Sequence, residues 1–91
     1  MLEVKFSIGM RRDMKRLKKQ GKDFSKLEAV LELLADGKPL PPKNRDHALT
    51  GDKKMYRECH IEPDWLLVYE INEQAKRIVF SRTGTHADLF E

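Results

Sequence analysis

Residues 55–83, MYRECHIEPDWLLVYEINEQAKRIVFSRT, contain three runs that are rich in β-branched and aromatic side chains. The runs cover residues 55–61, 65–71 and 77–83, and the polar turn segments EPD and NEQ follow the first two of them. Runs of this length, divided by turn residues, are typical of consecutive antiparallel strands. We therefore predict a three-stranded antiparallel meander as the main part of the sheet.

The segment before the meander predicts one more strand and two helices. Apolar residues at positions 2, 4 and 6 alternate with charged ones, which is the period of a half-buried strand. From about residue 7 the apolar positions 10, 14 and 17 have helical spacing, and Gly21 suits the left-handed end of a helix. A second helix repeats apolar residues at 24, 27, 31 and 34. Ser25 and Glu28 form its capping box, and Gly37 and Pro39 stop it.

These elements predict an α+β fold in a single domain, residues 1–91. A short N-terminal strand precedes an antiparallel two-helix hairpin, and the hairpin packs on a mainly antiparallel four-stranded sheet. Residues 37–54 lie between the helices and the meander and hold three of the four prolines. We predict an ordered but irregular connection there, with His47 inside it.

The sequence also predicts where the protein resides. Cys59 is the single cysteine, so no internal disulfide is possible. The N-terminus has no apolar run long enough for a signal peptide or a membrane span. We expect a cytoplasmic protein that has no membrane partner.

Basic residues are concentrated at the N-terminal end of the chain. The net charge is only +3, yet residues 1–22 carry eight Lys or Arg against Glu3 and Asp13. A basic helix attracts a phosphate backbone or an acidic protein segment. The alternative is an ordinary solvated helix face. The candidate RNA contacts are Arg11, Arg12, Lys15, Arg16, Lys18 and Lys19.

All three histidines, His47, His60 and His86, lie in the second half of the chain. Histidine exchanges protons near neutral pH, so three in one small fold suggest acid–base chemistry. Strand alternation places Glu58 and His60 on the same side of the first meander strand. The alternative for Glu58 is an ordinary cross-strand pair on an exposed sheet face.

Arg82 and His86 flank the short segment Thr-Gly-Thr at the end of the last strand. Arginine can clamp a phosphate and stabilise charge that grows on it, while an imidazolium can protonate a leaving oxygen. The pair therefore suggests a phosphodiester site. In the alternative interpretation Arg82 pairs with an acid such as Asp64, and His86 caps the C-terminal segment.

Two aromatic residues are candidates for substrate binding. Trp65 follows a Pro-Asp turn and Phe90 is one residue from the end, and either ring could stack on an RNA base. A lone tryptophan is also a common core residue. Phe90 must find a groove or a ligand, because an exposed phenylalanine is costly.

The spacing of potential ligands argues against a metal site. The histidines are 13 and 26 residues apart, and no HxxxH or CxxC pattern is present. Cys59 points away from His60 on the same strand, so we expect a small buried core residue rather than a nucleophile. We predict neither a metal nor another cofactor.

The motifs HALTG (47–51), YRECHIEPDWLLVY (56–69) and RTGTHADLF (82–90), after a basic first helix, resemble the YafQ branch of the RelE-like toxins. These are ribosome-associated endoribonucleases of bacterial toxin–antitoxin pairs. The resemblance implies the RelE-like microbial RNase fold and an antitoxin that wraps the toxin and blocks its site. It also implies the ribosome and mRNA as partners, and operator DNA only through the antitoxin complex.

The resemblance further implies a site and a metal-independent reaction, in which the ribose 2′-hydroxyl attacks the adjacent phosphate. His86 is the implied acid, and His60 or His47, with Asp64, is the implied base. Glu58, where some relatives carry Asp, is expected to orient a histidine. The implied set around the phosphate is His47, His60, Asp64 and His86, with Arg82 as clamp and Phe90 beside the base. A non-catalytic RNA- or partner-binding module of the same fold is the alternative function. A metal-dependent hydrolase, which would lose its activity on chelation, is a further alternative.

Overall fold

A mixed five-stranded sheet with helices packed against it forms the protein in the computed structural model, which describes residues 1–90. The predicted α+β class is confirmed. Two short 3-10 turns, at Pro42–Asn44 and Gly51–Lys53, interrupt the connection that follows the second helix. The elements are β1 (Glu3–Phe6), α1 (Ile8–Lys19), α2 (Phe24–Ala35), β2 (His47–Ala48), β3 (Arg57–Glu62), β4 (Trp65–Asn72), β5 (Arg77–Gly84) and α3 (His86–Phe90).

The strand order is β1-β5-β4-β3-β2. The antiparallel meander β3-β4-β5 is confirmed, and β1 adds to it in parallel with β5. The predicted count of four strands is wrong, because His47 and Ala48 pair with Glu58 and Arg57 as a fifth strand. Two residues are too few to show strand alternation, which is why β2 was hidden in the predicted irregular connection.

The helix ends follow from local side-chain chemistry. Ser7 caps α1 by accepting a hydrogen bond from the Met10 N–H at 2.9 Å. Gly21 (φ 78°) and Gly37 (φ 72°) end the two helices in the left-handed conformation, as expected. The predicted capping box of α2 is wrong: Asp23 is the N-cap, and its carboxylate accepts from the Ser25 N–H at 3.0 Å.

The hydrophobic core lies between the two helices and one side of the sheet. Cys59 is fully buried there, as predicted. No helix within residues 1–90 combines the length and apolar character that crossing a bilayer requires. The buried core consists of Met10, Leu17, Leu27, Val30, Leu34, Cys59, Trp65, Leu67, Tyr69, Ile78 and Phe80.

A β-bulge in β5 determines which side of the sheet Arg82 occupies. Tyr69 pairs with Phe80, whereas the preceding residue, Val68, pairs with Arg82, so Ser81 is the extra residue. In a regular strand residue 82 would share the core side with Phe80. The bulge instead aligns the backbone of Arg82 with Val68, in the row on the other side of the sheet. From there the Arg82 side chain reaches Asp13 of α1.

Candidate active site

The sheet register brings the predicted site residues together. Glu58 pairs with Val68, which pairs with Arg82, and His47 pairs with Glu58 at the end of the same row. In the adjoining row His60 pairs with Leu66, which pairs with Gly84. Leu66 and Val68 are buried between the polar members, so the rows share an apolar floor.

His60 and His86 face each other across the end of this surface. Their ring centroids are 6.1 Å apart. His60 Nδ1 lies 3.2 Å from the Pro63 carbonyl oxygen, and His86 Nδ1 lies 2.7 Å from Asp64 Oδ1. The β3–β4 turn therefore orients one ring through its backbone and the other through a carboxylate.

His47, the first residue of β2, and Asp46 before it are held by contacts from several residues. His47 Nδ1 lies 2.7 Å from the Arg45 carbonyl oxygen, and its Nε2 lies 3.5 Å from Oε1 of the buried Glu58. The adjacent Asp46 accepts a hydrogen bond from the buried Tyr69 hydroxyl, and Arg57 donates to both of its carboxylate oxygens at 3.3 Å. Burial, and secondarily Asp46, raises the pKa of Tyr69, so this hydroxyl remains a donor.

The three histidine rings share one contact that indicates which ring nitrogen carries a proton. In each ring Nδ1 faces an oxygen of a carbonyl or a carboxylate. Such oxygens accept hydrogen bonds and do not donate them, so Nδ1 carries a proton in each ring. In His60 and His86 the exchangeable position is therefore Nε2, which accepts a proton when the ring is neutral and donates one when it is charged. His47 differs, because its Nε2 also faces a carboxylate oxygen, Glu58 Oε1, at 3.5 Å.

His86 is held at the start of α3 by a reciprocal capping arrangement. The Thr85 N–H donates to Asp88 Oδ2 at 3.0 Å, and the Asp88 N–H donates to Thr85 Oγ1 at 3.0 Å. Asp64 Oδ1 also accepts from the His86 backbone N–H at 3.1 Å. Hydrogen bonds from His86 lower the pKa of Asp64, so the carboxylate is charged at neutral pH.

Arg82 pairs with an acid, but the acid is Asp13 of α1 rather than Asp64. Its Nε donates to Asp13 Oδ2 at 2.6 Å and its Nη2 donates to Asp13 Oδ1 at 3.2 Å. Nη1 has no hydrogen-bond partner within residues 1–90, and the side chain is 44% exposed. Hydrogen bonding to Asp13 raises the pKa of Arg82, so the guanidinium is a permanent cation with one open edge.

The two aromatic candidates occupy different environments. Trp65 is 1% exposed, and its Nε1 donates to Thr83 Oγ1 at 2.8 Å. A ring without an exposed face cannot stack on a base, so Trp65 is a core residue and its predicted substrate contact is corrected. Phe90 is 43% exposed near Lys53, whose Nζ is 5.4 Å from the ring centroid. The Phe90 ring is therefore exposed, and its stacking on an RNA base stays a prediction.

Five of the six basic candidates form an exposed surface on α1, which we call the basic face: Arg11, Arg12, Lys15, Lys18 and Lys19. Arg16 differs, because its guanidinium is used inside the protein. Its Nη1 donates to Asp13 at 2.8 Å, and its Nη2 donates to Asp88 at 3.3 Å. Arg16 therefore links α1 to the start of α3, and because its side chain is still 36% exposed, its contact with RNA stays a prediction.

Sequence reasoning missed the acids that orient this surface. Asp88 was detectable, because Thr85-x-x-Asp88 has the spacing of a capping box. Asp13 and Asp46 gave weaker signals, since each lies among charged residues typical of a solvated surface. Within residues 1–90 no three His, Cys, Asp or Glu side chains are grouped closely enough to hold a metal ion.

Comparison with known proteins agrees with the fold and the motifs. Residues 2–91 match the family model for the YafQ toxin, described as a bacterial toxin of type II toxin–antitoxin systems. The mRNA interferase toxin YafQ of Escherichia coli K12 is 42% identical over 89 residues, which are 97% of this chain and 95% of that protein. The putative toxin YafQ of Haemophilus influenzae is 35% identical over 91 residues, covering 94% and 89% of the two chains.

Solved structures give the same result. The crystal structure of the E. coli DinJ–YafQ complex superposes with a TM-score of 0.92 at 39% identity, with 100% of both chains covered. A metal-bound toxin from Helicobacter pylori superposes with a TM-score of 0.93 at 43% identity, covering 99% of this chain and 100% of that one. With nearly its whole length matched in sequence and in structure, the chain belongs to the YafQ family of bacterial type II toxin–antitoxin toxins.

Proposed function

We propose that this protein is an mRNA interferase, an endoribonuclease that cuts mRNA on the ribosome without a metal ion. The observation that carries the proposal is the His60–His86 pair, which lies beside the sheet row that ends in Arg82. It supplies two imidazoles with exchangeable Nε2 atoms. The E. coli relative named mRNA interferase supports the reaction class.

The reaction needs a base, an acid and positive charge around one phosphodiester. The base removes the proton from the ribose 2′-hydroxyl, and the 2′-oxygen forms a bond to the adjacent phosphorus. The bond from phosphorus to the 5′-oxygen breaks, and the acid gives that oxygen a proton. The products are a 2′,3′-cyclic phosphate and a free 5′-hydroxyl. Because RNA provides the nucleophile, neither an activated water nor a metal is required.

Each side chain has a role that matches its environment. His86 is the acid, and Asp64 keeps its Nδ1 proton in place and stabilises the imidazolium. Phe90 stacks on the base next to the cut. His60 or His47 is the base, and Glu58 orients His47. Arg82 stabilises the charge on the phosphate.

The partners are a cognate antitoxin, the ribosome and its mRNA, with operator DNA bound only through the antitoxin complex, all in the cytoplasm. The E. coli relative was crystallised with DinJ, which supports the antitoxin. The basic face supports ribosomal RNA as a contact, because exposed cations on one helix bind a phosphate backbone in a salt-dependent manner.

The ribosome contact is tested by co-sedimentation with ribosomes at increasing salt. The variant changes Lys15 and Lys19 to Gln, and the matched control changes Lys38 and Lys76, which are exposed outside α1. We expect the affinity to fall at least about 3-fold for the first pair, with a shallower salt dependence, and to be unchanged for the second. Equal binding by both would remove the basic face from the proposal.

Catalysis is tested with translating ribosomes and a defined message. The toxin is dialysed against EDTA beforehand, so that the Mg²⁺ that ribosomes need is retained in the assay. Primer extension maps the cuts, and His86→Ala runs beside the wild type and Glu73→Gln, an exposed turn substitution. We expect cuts within codons that disappear only in His86→Ala. No cuts with any protein would favour the non-catalytic binding module.

A further inference from the structure

Asp13 is a buried carboxylate on the most basic helix of the protein. It is 2% exposed, whereas the basic face of α1 is exposed. Four hydrogen bonds end on it, two on each oxygen. Oδ1 accepts from Arg16 Nη1 at 2.8 Å and Arg82 Nη2 at 3.2 Å, and Oδ2 accepts from Arg82 Nε at 2.6 Å and the Thr83 N–H at 3.1 Å.

This set of donors keeps Asp13 charged inside the protein. Burial alone opposes ionisation and would raise its pKa, but the hydrogen bonds from Arg82, Arg16 and Thr83 outweigh burial and lower it. Because four donors hold its two oxygens, we expect the Asp13 carboxylate to keep its position when substrate binds. Asp13 is therefore a fixed anchor.

The anchor determines how Arg82 presents its charge. A guanidinium bound through Nε and Nη2 has a fixed plane, and its Nη1 edge points away from the carboxylate. The stem of Arg82 is also confined. A Cβ on Gly9 would lie 2.9 Å from Arg82 Cδ, closer than such atoms approach, so the stem occupies space that a side chain would fill.

We propose that Asp13 is a positioning residue of the active site, which orients Arg82 so that its open Nη1 edge meets the scissile phosphate. The inference rests on the proposed role of Arg82 in the ribonuclease reaction. An arginine held in advance loses no rotational freedom when the phosphate gains charge in the transition state, so its contribution to the rate is larger.

A purely structural role is the competing explanation, since Asp13 also joins α1 to β5 through Thr83 and contacts Arg16. A double-substitution cycle separates the two. If Asp13 acts through Arg82, then Asp13→Asn changes nothing further once Arg82 is replaced by Ala. If Asp13 only supports the fold, the two effects on kcat multiply.

The cycle is measured as kcat and KM for message cleavage on ribosomes, with melting temperatures recorded for each variant. We expect Arg82→Ala to lower kcat roughly 100- to 1,000-fold. We expect Asp13→Asn to lower it roughly 10- to 100-fold with KM changed by less than about 3-fold, and the double variant to equal Arg82→Ala. Glu3→Gln is the matched control, because Glu3 also forms an ion pair with an arginine of β5. Its Oε1 lies 2.6 Å from Nε of Arg77, on the strand that carries Arg82. Its kcat should stay within about 2-fold of wild type.

A second variant displaces Arg82 without touching Asp13. Gly9→Ala improves the helix propensity of α1, so it should fold even if Asp13→Asn does not. Its new Cβ collides with Arg82 Cδ, and we expect kcat to fall at least about 5-fold while the Asp13 carboxylate remains.

Each outcome decides one question. Wild-type kcat in Arg82→Ala would overturn the proposed role of Arg82, and the inference with it. A large loss in Arg82→Ala, together with multiplied effects in the double variant or wild-type kcat in Asp13→Asn, would overturn the inference alone. If Asp13→Asn does not fold, wild-type kcat in Gly9→Ala would overturn it.

Discussion

Asp64 and His86 are joined by two hydrogen bonds that end on the same carboxylate oxygen. Asp64 Oδ1 lies 3.1 Å from the His86 backbone nitrogen and 2.7 Å from its Nδ1. One acid therefore fixes both the start of α3 and the plane of the imidazole. In the proposed reaction His86 Nε2 protonates the leaving oxygen, and the carboxylate behind the ring stabilises the charge of the imidazolium.

Replacement of Asp64 should separate these two effects. Asp64→Ala removes both hydrogen bonds, and we expect cleavage to fall roughly 100-fold, as for a misoriented general acid. Asp64→Asn keeps an acceptor but loses the charge, so its rate should lie between Ala and wild type. Single-turnover cleavage on ribosomes measures both, with Glu73→Ala as the exposed control. Full activity in Asp64→Ala would remove Asp64 from the site.

Trp65→Phe should behave as a core substitution. It removes the Nε1 hydrogen bond to Thr83 and leaves a cavity, so the free energy of unfolding should fall by about 1–3 kcal/mol. Urea unfolding measures this change. Cleavage at 20 °C is expected to keep the wild-type KM, since the ring does not reach the surface. A raised KM with unchanged stability would instead indicate an RNA contact.

Cys59 should be unreactive in the folded protein. Burial raises the pKa of its thiol to about 12, and the residue has no exposed surface. Alkylation by iodoacetamide at pH 8 is expected only after denaturation, and Cys59→Ala should cleave RNA at the wild-type rate. Rapid labelling of the native protein, followed by mass spectrometry, would show that β3 opens.

The ionisation of Asp13 should appear in the acid stability of the protein. Its folded pKa lies below the ordinary value of about 3.9, so its stabilising contribution is complete above that value. The contribution is lost as the pH falls through the lowered folded pKa. The difference in unfolding free energy between wild type and Asp13→Asn should therefore be constant from pH 5 to 7 and shrink below about pH 4. A difference that grows on acidification would contradict this sign.

The order of the elements was predictable because it depends on local signals. Alternation and turn residues located β3, β4 and β5, and the glycines at 21 and 37 located the helix ends. The strand β2 escaped because its pairing to β3 is only two residues long. Asp46, the residue before β2, is bound by Arg57 and Tyr69, which are 11 and 23 residues away in the sequence, so these contacts leave no local signal.

The sequence indicated which residues to group in the candidate site, but it did not indicate how their side chains are oriented. Strand alternation alone would place Arg82 with Phe80 on the core side, and only the bulge at Ser81 reverses it. The acid that binds Arg82 is 69 residues away in the sequence, on a helix that otherwise carries positive charge. Such long-range pairs depend on how α1 lies against β5, which a propensity or a motif does not encode.

The chemistry of the cut ends tests the proposed metal-free mechanism most directly. RNA fragments from the ribosome assay are divided into two portions. One portion is treated with polynucleotide kinase and γ-labelled ATP, with and without prior phosphatase, and the 3′ ends of the untreated portion are analysed by mass spectrometry. Attack by the 2′-hydroxyl predicts 5′ ends that label without phosphatase and 3′ ends that carry a 2′,3′-cyclic phosphate. Fragments with 5′-phosphates and 3′-hydroxyls would mean that water is the nucleophile, and would contradict the assignment of His86, Asp64 and Arg82 to this reaction.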